Sequence, residues 1–481
     1  MTSRQSPNAR ERGNWKQWFL WTAIPLMLIG APICAYDATG RAALNRSLKE
    51  AREIDPLLTF EEIEAARQTW PDDQNGALHI QTIFPVLEAN ESTIASDDLL
   101  PLLGKADMPP LGRRWSTAND AHVAAFLGSM SAELDAIDEL IAYEGGRFEI
   151  DYADHPFDTL LPHLKSLRTA TKLKALEAAF ADMHGQSRNV VADFEIIRRP
   201  GELLKDEPFV ISSLVAIAVE SFANLTLHTT LAHRELTDNE LRQLSMILKS
   251  PDTTDSLYWG LLGERAGSLD IVDWVKQTGG QANVKIPFAK LGNVPGIRGL
   301  LYRDEAMLLR LGNLWLQAVK DPANRTALLD EAEQLRATLP RTMLITSMLA
   351  PSLHRTFTLQ QRLRAETQIL LAGLASERHR LQQGRWPETL DALTPTLLEA
   401  VPADPFDGKP LRYQHFERGV IIYSIDEDGV DDQGDVTDRR LRDEPRRAAD
   451  LGMTLLDPEY RNLPPLPPED DLAASAPAEA Q

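Results

Sequence analysis

The sequence predicts a mainly α-helical protein. It reads as an N-terminal transmembrane helix, an irregular helical array of hairpins, and a small C-terminal α+β module with a β-hairpin. Three observations predict this. Residues 18–36, WFLWTAIPLMLIGAPICAY, carry no charge and match the roughly 20 apolar residues needed to cross the hydrocarbon. Apolar residues then recur at three- and four-residue steps for about 300 residues, the period of helices with one buried face. Beyond residue 355, LRYQHF and GVIIYSI have the Tyr, Phe, Val and Ile content of strands.

The N-terminal segment is a membrane span or a signal peptide. Trp15, Trp18 and Trp21 at one end and Tyr36 at the other suit the two interfaces of a bilayer. Ile33 stands where signal cleavage or lipidation at Cys34 calls for a small residue, which favours an uncleaved anchor. Pro25 and Pro32 are tolerated in a span. Arg4, Arg10, Arg12 and Lys16 precede it and Arg41, Arg46, Lys49 and Arg52 follow it, so basic residues alone do not orient it. A short basic tail (1–17) before a long acidic body still resembles a signal anchor. The expectation is a single-pass membrane protein, held in the membrane by 18–36, with the bulk of the chain extracytoplasmic.

Length and charge narrow the function. The chain has 481 residues, 43% hydrophobic and 25% charged, enough for two or three domains. A net charge of −21 argues against nucleic acid, which needs clustered Lys and Arg. The single cysteine, Cys34, excludes an internal disulfide and a Cys-based zinc site.

Residues 37–350 read as the helical domain. Thr59 to Glu62, TFEE, forms a capping box. Val123, Phe126, Leu127, Met130, Leu134, Ile137 and Ile141 predict one amphipathic helix over 117–143, ended by Gly145-Gly146. Similar stripes run through 160–180, 203–231, 300–319 and 327–339. Gly and Pro in 279–299 predict a long surface loop. No fixed repeat length emerges.

Catalytic signals are weak. Glu220 lies in an otherwise apolar helix, where a buried carboxylate pairs with a cation or has a raised pKa; Glu264-Arg265 and Arg303-Asp304 are candidate partners. Glu220 and Glu264 could act as a carboxylate pair in a hydrolase, although a structural ion pair is the simpler reading. His228 and His233 are five apart rather than the four of a zinc-binding helix, and His155 and His163 sit in a turn-rich segment expected to be exposed.

In residues 355–436 a helix ending at Gly384 precedes Trp386-Pro387, a short helix at 388–400, the turn 403–410 and the hairpin joined through Glu417-Arg418-Gly419. The order Gly384-x-Trp386-Pro387, Leu390-x-x-Leu393, Asp404-Pro405-Phe406, Tyr413, Tyr423-Ser424 and Asp428-Gly429 resembles the globular part of the major pseudopilin of type II secretion. That resemblance implies a helix on a small sheet and a terminal calcium-binding loop. It covers under a fifth of the chain. Asp407 and Asp426 depart from the family pattern, and the anchor lacks the early Glu of a pseudopilin, so pilus assembly is not carried over. The whole chain resembles membrane-anchored bacterial proteins with a helical body and this module.

Residues 421–435, IIYSIDEDGVDDQGD, hold six carboxylates. Asp426, Asp428, Asp432 and Asp435 follow D-x-D-G-V-x-D-x-x-D, which also resembles extracellular thrombospondin type 3 calcium repeats. Closely spaced carboxylates and carbonyls in a Gly-permitted turn suit calcium and its six to eight oxygens; a solvated acidic turn is the alternative. The acidic, Pro-rich residues 437–481 read as a disordered tail. The expected function is a structural or interaction protein of the envelope with an unidentified protein partner. An envelope hydrolase and a periplasmic ligand-binding protein are the alternatives.

Overall fold

The computed structural model describes residues 14–153, 158–249, 254–278, 294, 296–349, 353–436 and 450–466. Most of the loop expected at 279–299, residues 437–449, the tail from 467, the basic residues 1–13 and His155 lie outside this set. The fold is mainly helical with one small antiparallel sheet. The first helices are α1 (Asn14–Ile54), α2 (Phe60–Ala66), α3 (Gly76–Gln81), α4 (Phe84–Ser96), α5 (Thr117–Ser129) and α6 (Ser131–Asp138). Next come α7 (His163–Met183), α8 (Val190–Glu202), α9 (Val210–His233), α10 (Asp238–Leu248) and α11 (Thr254–Thr278). The last are α12 (Ile297–Lys320), α13 (Arg325–Ala337), α14 (Leu344–Leu349) and α15 (His354–Gln383). Strands β1 (Arg412–Phe416), β2 (Gly419–Ser424) and β3 (Leu451–Leu456) pair in the order β1-β2-β3. Two compact units result.

Unit 1 comprises Met1–Ala66, Tyr152–Thr159 and Leu261–Ser352. Its frame is α1 against α12. The backbones approach closely where Gly40 meets Gly299: a Cβ on Gly40 would lie 2.7 Å from the Gly299 carbonyl oxygen. Asp37 turns that crossing into a helix cap, its Oδ1 accepting from the N–H groups of Gly296 (2.9 Å) and Gly299 (2.8 Å). These are among the donors that the first turn of a helix leaves without an internal partner. Arg303 donates to the Tyr36 carbonyl and lies 3.7 Å over the Tyr36 ring. Leu44, Ala51, Leu58, Ala306 and Leu309 make one small core of the unit, and Ile271, Val272, Leu301, Leu308 and Ile345 make another. The capping box is present, with Glu62 N–H donating to Thr59 Oγ1 (3.2 Å) and Thr59 N–H to Glu62 Oε2 (3.1 Å).

In α1 most of the described side chains between Leu28 and Tyr36 are bare. Leu28 is 70% exposed, and Ala31, Pro32, Cys34, Ala35 and Tyr36 are exposed too. Apolar surface of this kind costs free energy in water unless lipid or protein covers it. Among the described residues the one helix long and apolar enough to cross a membrane is α9, but it is largely buried and serves as a core helix.

Unit 2 comprises Arg67–Asp151, Leu160–Gly260 and Leu353–Gln481. One core joins α3 to α9 through residues such as Ile80, Phe148, Leu167, Leu176 and Val219. A second joins α7 to α10 with α15 and the sheet through Phe194, Leu227, Leu241, Leu374, Ile422 and Leu455. The C-terminal helix and sheet therefore share their core with the helices of the body. Gly373 allows the close contact between α15 and β3, since a Cβ there would meet Met453 Sδ at 2.5 Å.

Several expectations are corrected by packing. The single helix over 117–143 breaks at Met130 (φ −107°, ψ 18°) into α5, α6 and a 3₁₀ turn (Glu139–Ala142). Val123, Leu127, Met130, Leu134 and Ile137 remain buried, while Ile141 is 41% exposed. The stripe over 203–231 likewise starts in the turn that follows α8 and only then enters α9. The short helix expected at 388–400 is only a 3₁₀ turn (Leu390–Leu393). The hairpin forms with Phe416 opposite Gly419, and Gly384 ends α15 in a left-handed conformation (φ 70°). Strand β3 lies in a segment whose charge and weak periodicity gave no strand signal. Within the segment read as a disordered tail, Leu463 pairs with the chain at Gly112 and Arg114, its N–H 2.7 Å from the Gly112 carbonyl and its own carbonyl 2.9 Å from Arg114 N–H.

Candidate functional sites

The acidic turn follows β2. Asp404, fully buried, organises its base: it accepts from Ser424 Oγ (2.8 Å), Ile425 N–H (3.1 Å) and Phe406 N–H (3.0 Å), and pairs with Arg412. Asp426 is 1% exposed with φ 56° and lies 3.4 Å from Arg362 Nη2. Asp428 is exposed, its Oδ1 accepting from Val430 N–H at 3.1 Å. Asp431 accepts from Gln433 N–H (2.9 Å) and from the Tyr423 hydroxyl (3.3 Å). Asp432 and Asp435 are half-buried.

Sequence reasoning missed Asp450, which enters this site just ahead of β3. It is 4% exposed, and its Oδ2 accepts from Gly434 N–H at 2.8 Å. Burial pushes its carboxyl above the ordinary range, and the neighbouring Asp431 and Asp432 push the same way against bonds from the backbone of Gly434 and Asp432. Asp450 Oδ1 and Asp432 Oδ2 are buried without a hydrogen-bond donor. Buried carboxylate oxygens of this kind fit a cation, which would supply the missing counter-charge. The four carboxylates selected by spacing do not converge as a set, and among the described residues no three His, Cys, Asp or Glu side chains are grouped to hold a metal. The fit therefore rests on Asp432 and Asp450, with Asp426 facing an arginine.

The carboxylates of the helical body serve separate purposes. Glu220 pairs with Arg198, Nε to Oε2 2.7 Å, rather than with Arg265 or Arg303. Burial raises its pKa, and Arg198 opposes that rise. Arg265, 1% exposed, donates to the carbonyls of Ala51, Asp55 and Leu57 and to Asn313 Oδ1, tying α1 to α11 and α12. Asp304 accepts from Ile345 and Thr346 N–H (2.8 Å each), capping α14. Glu264 is half-buried, and burial alone lifts its carboxyl to about 7. It belongs to unit 1 and Glu220 to unit 2.

His163 is buried rather than exposed. It stacks on Phe148 (4.3 Å between ring centroids) and pairs with Glu207 at 2.8 Å, and Glu207 also accepts from Ser212 at 2.6 Å. His228 Nε2 lies 2.9 Å from the Thr454 carbonyl and His233 Nε2 lies 3.1 Å from that of Arg113, so both meet backbone at the C-terminal end of α9.

A concavity of about 810 Å³ lies elsewhere in unit 2, lined by Trp70, Asp73, Gln74, Glu139, Tyr143 and Glu144 among others. None of the sequence-selected carboxylates lines it. No family profile, curated protein or solved structure matches the chain.

Proposed function

We propose that the chain is a membrane-anchored, extracytoplasmic interaction protein of the bacterial envelope, and that calcium stabilises its pseudopilin-like C-terminal module. The observation that carries the interaction reading is the pairing of Glu220 with Arg198. A hydrolase built on Glu220 and Glu264 needs two ionisable groups converging in one pocket, whereas Glu220 is held by a cation and neither residue lines the concavity. The bare apolar face of α1 from Leu28 to Tyr36 supports the anchor. The helix α15 laid on β2 and β3 supports the pseudopilin-like reading.

Calcium would be held by Asp432 and Asp450, with Asp426, Asp428, Asp435 and turn carbonyls as the further oxygen donors the sequence offers. At a Kd of about 0.1 mM, within the range of extracellular modules, about 2 mM calcium stabilises the folded state by roughly 1.8 kcal/mol. Because α15 and the sheet share a core with α8, α9 and α10, the test uses the full chain in non-ionic detergent. The expected result is a melting temperature several degrees higher in calcium than in chelator, with the difference lost in Asp432→Asn and in Asp450→Asn. Equal melting in both conditions, with no calorimetric binding at millimolar calcium, would leave the carboxylates as a solvated turn.

A further inference from the structure

We infer that the concavity on unit 2 is a docking site for a basic segment of a partner protein, taking arginine or lysine side chains between aromatic rings and carboxylates. The inference gives the interaction reading a location and a partner chemistry, and its test is independent of calcium. Trp70 and Tyr143 supply two half-exposed rings, and the exposed Asp73, Glu139 and Glu144 supply the charge. Among the described residues neither Asp73 nor Glu144 has an ion-pair partner, and Glu139 has only His79 at 3.6 Å. Asp138, deeper in the wall, is already paired with Lys174 at 2.5 Å. A cation over an aromatic face is attracted by the ring quadrupole, and neighbouring carboxylates add to that attraction while accepting its N–H donors. A neutral or acidic ligand gains neither term. The volume, about 810 Å³, lies in the range of ligand pockets and exceeds one side chain, so a segment with two basic residues suits it.

The walls are fixed in advance. Asn75 Oδ1 accepts from Ala77 N–H (3.1 Å) and Arg147 N–H (2.9 Å), and Asn75 Nδ2 donates to the Arg147 carbonyl (3.1 Å). Gly76 N–H donates to the Gly145 carbonyl at 3.0 Å. These bonds join the chain beside Trp70 to the chain beside Tyr143. Gly145 is required there, because a Cβ would stand 2.5 Å from the Trp70 ring. His79 stacks on the Tyr143 ring at 4.9 Å. Sites held in their binding geometry lose less entropy on association.

The test is fluorescence polarisation on the full chain in non-ionic detergent, with a labelled tetrapeptide carrying two central arginines as probe and its citrulline counterpart as the uncharged control. The expected result is saturable binding below 1 mM, at least tenfold weaker for the citrulline peptide. Asp73→Asn/Glu144→Gln, at two exposed positions, should weaken arginine-peptide binding at least fivefold, and Trp70→Ala should do the same if its melting curve shows a folded protein. The charge-matched control Asp391→Asn/Glu399→Gln, also exposed, should bind as the parent does. Absence of saturable binding overturns the inference. Equal weakening by the two double variants also overturns it, since the attraction would then be to the net charge of −21 and not to this site.

Discussion

Glu264, half-buried, and Glu220, buried, show how two carboxylates of the helical body can differ in consequence. Glu264 has its carboxyl lifted from the ordinary 4.5 to about 7 by burial, so the folded state prefers it protonated. Its contribution to stability is full below about pH 4.5 and is lost as pH rises through about 7, by about 3 kcal/mol for about 2.5 units at 1.36 kcal/mol each. Glu264→Gln should therefore match the parent at pH 4.5 and exceed it at pH 8 in urea unfolding; a variant that tracks the parent across that range would place Glu264 in contact with water. Glu220 has a guanidinium at 2.7 Å. Removing one member of such a pair leaves the other charge buried. Glu220→Gln should cost about 2–4 kcal/mol, and Arg198→Met/Glu220→Leu should recover most of that loss. A double variant as unstable as the single one would mean that packing, not charge, sets the cost.

At the scale of elements, the crossing of α1 and α12 makes the sharpest demand on sequence. Asp37→Ala removes a cap and should cost about 1 kcal/mol, with faster hydrogen exchange at the amides of Gly296 and Gly299. Gly40→Val should do more, because the Gly299 carbonyl must move for any side chain to enter; unchanged exchange in both variants would show that the crossing is not what holds unit 1. Helices α7, α9, α12, α13 and α15 were legible from apolar spacing, and so was the β1–β2 hairpin, because its strands carry their own Val, Ile and Tyr. Strand β3, LGMTLL, was not legible. Gly452 and Met453 have little strand preference alone, and the strand exists because Tyr423 and Ile422 of β2 stand opposite them. The break at Met130 escaped detection because the buried positions on either side keep helical spacing across it.

At the scale of the whole molecule, the candidate sites were the least legible part. The acidic turn was visible as a run of charge, but Asp450 joins it from beyond a 14-residue interval in sequence after Asp435, and only the pairing of β3 with β2 brings it there. Trp70 and Tyr143 are farther apart still, joined through Asn75 and Gly145. The proposed topology is tested by protease added outside the cytoplasmic membrane, which should digest the body beyond Tyr36 while a cytoplasmic marker survives; a protected body would reverse the orientation. Helix α1 itself runs unbroken from Asn14 to Ile54, 41 residues or about 60 Å, through the proposed span and into the core of unit 1. Pro25 and Pro32 are the points at which such a helix bends most readily; in the proposed topology, the continuous backbone of α1 couples the azimuth of unit 1 to the rotation of the span. One alanine inserted after Gly30 would leave the Asp37 cap and the Gly40 crossing intact, yet turn unit 1 by about 100° relative to any neighbour gripping the span. Activity or crosslinking that depends on such a neighbour would then vary with helical phase along α1, returning after insertions of about seven residues and failing between.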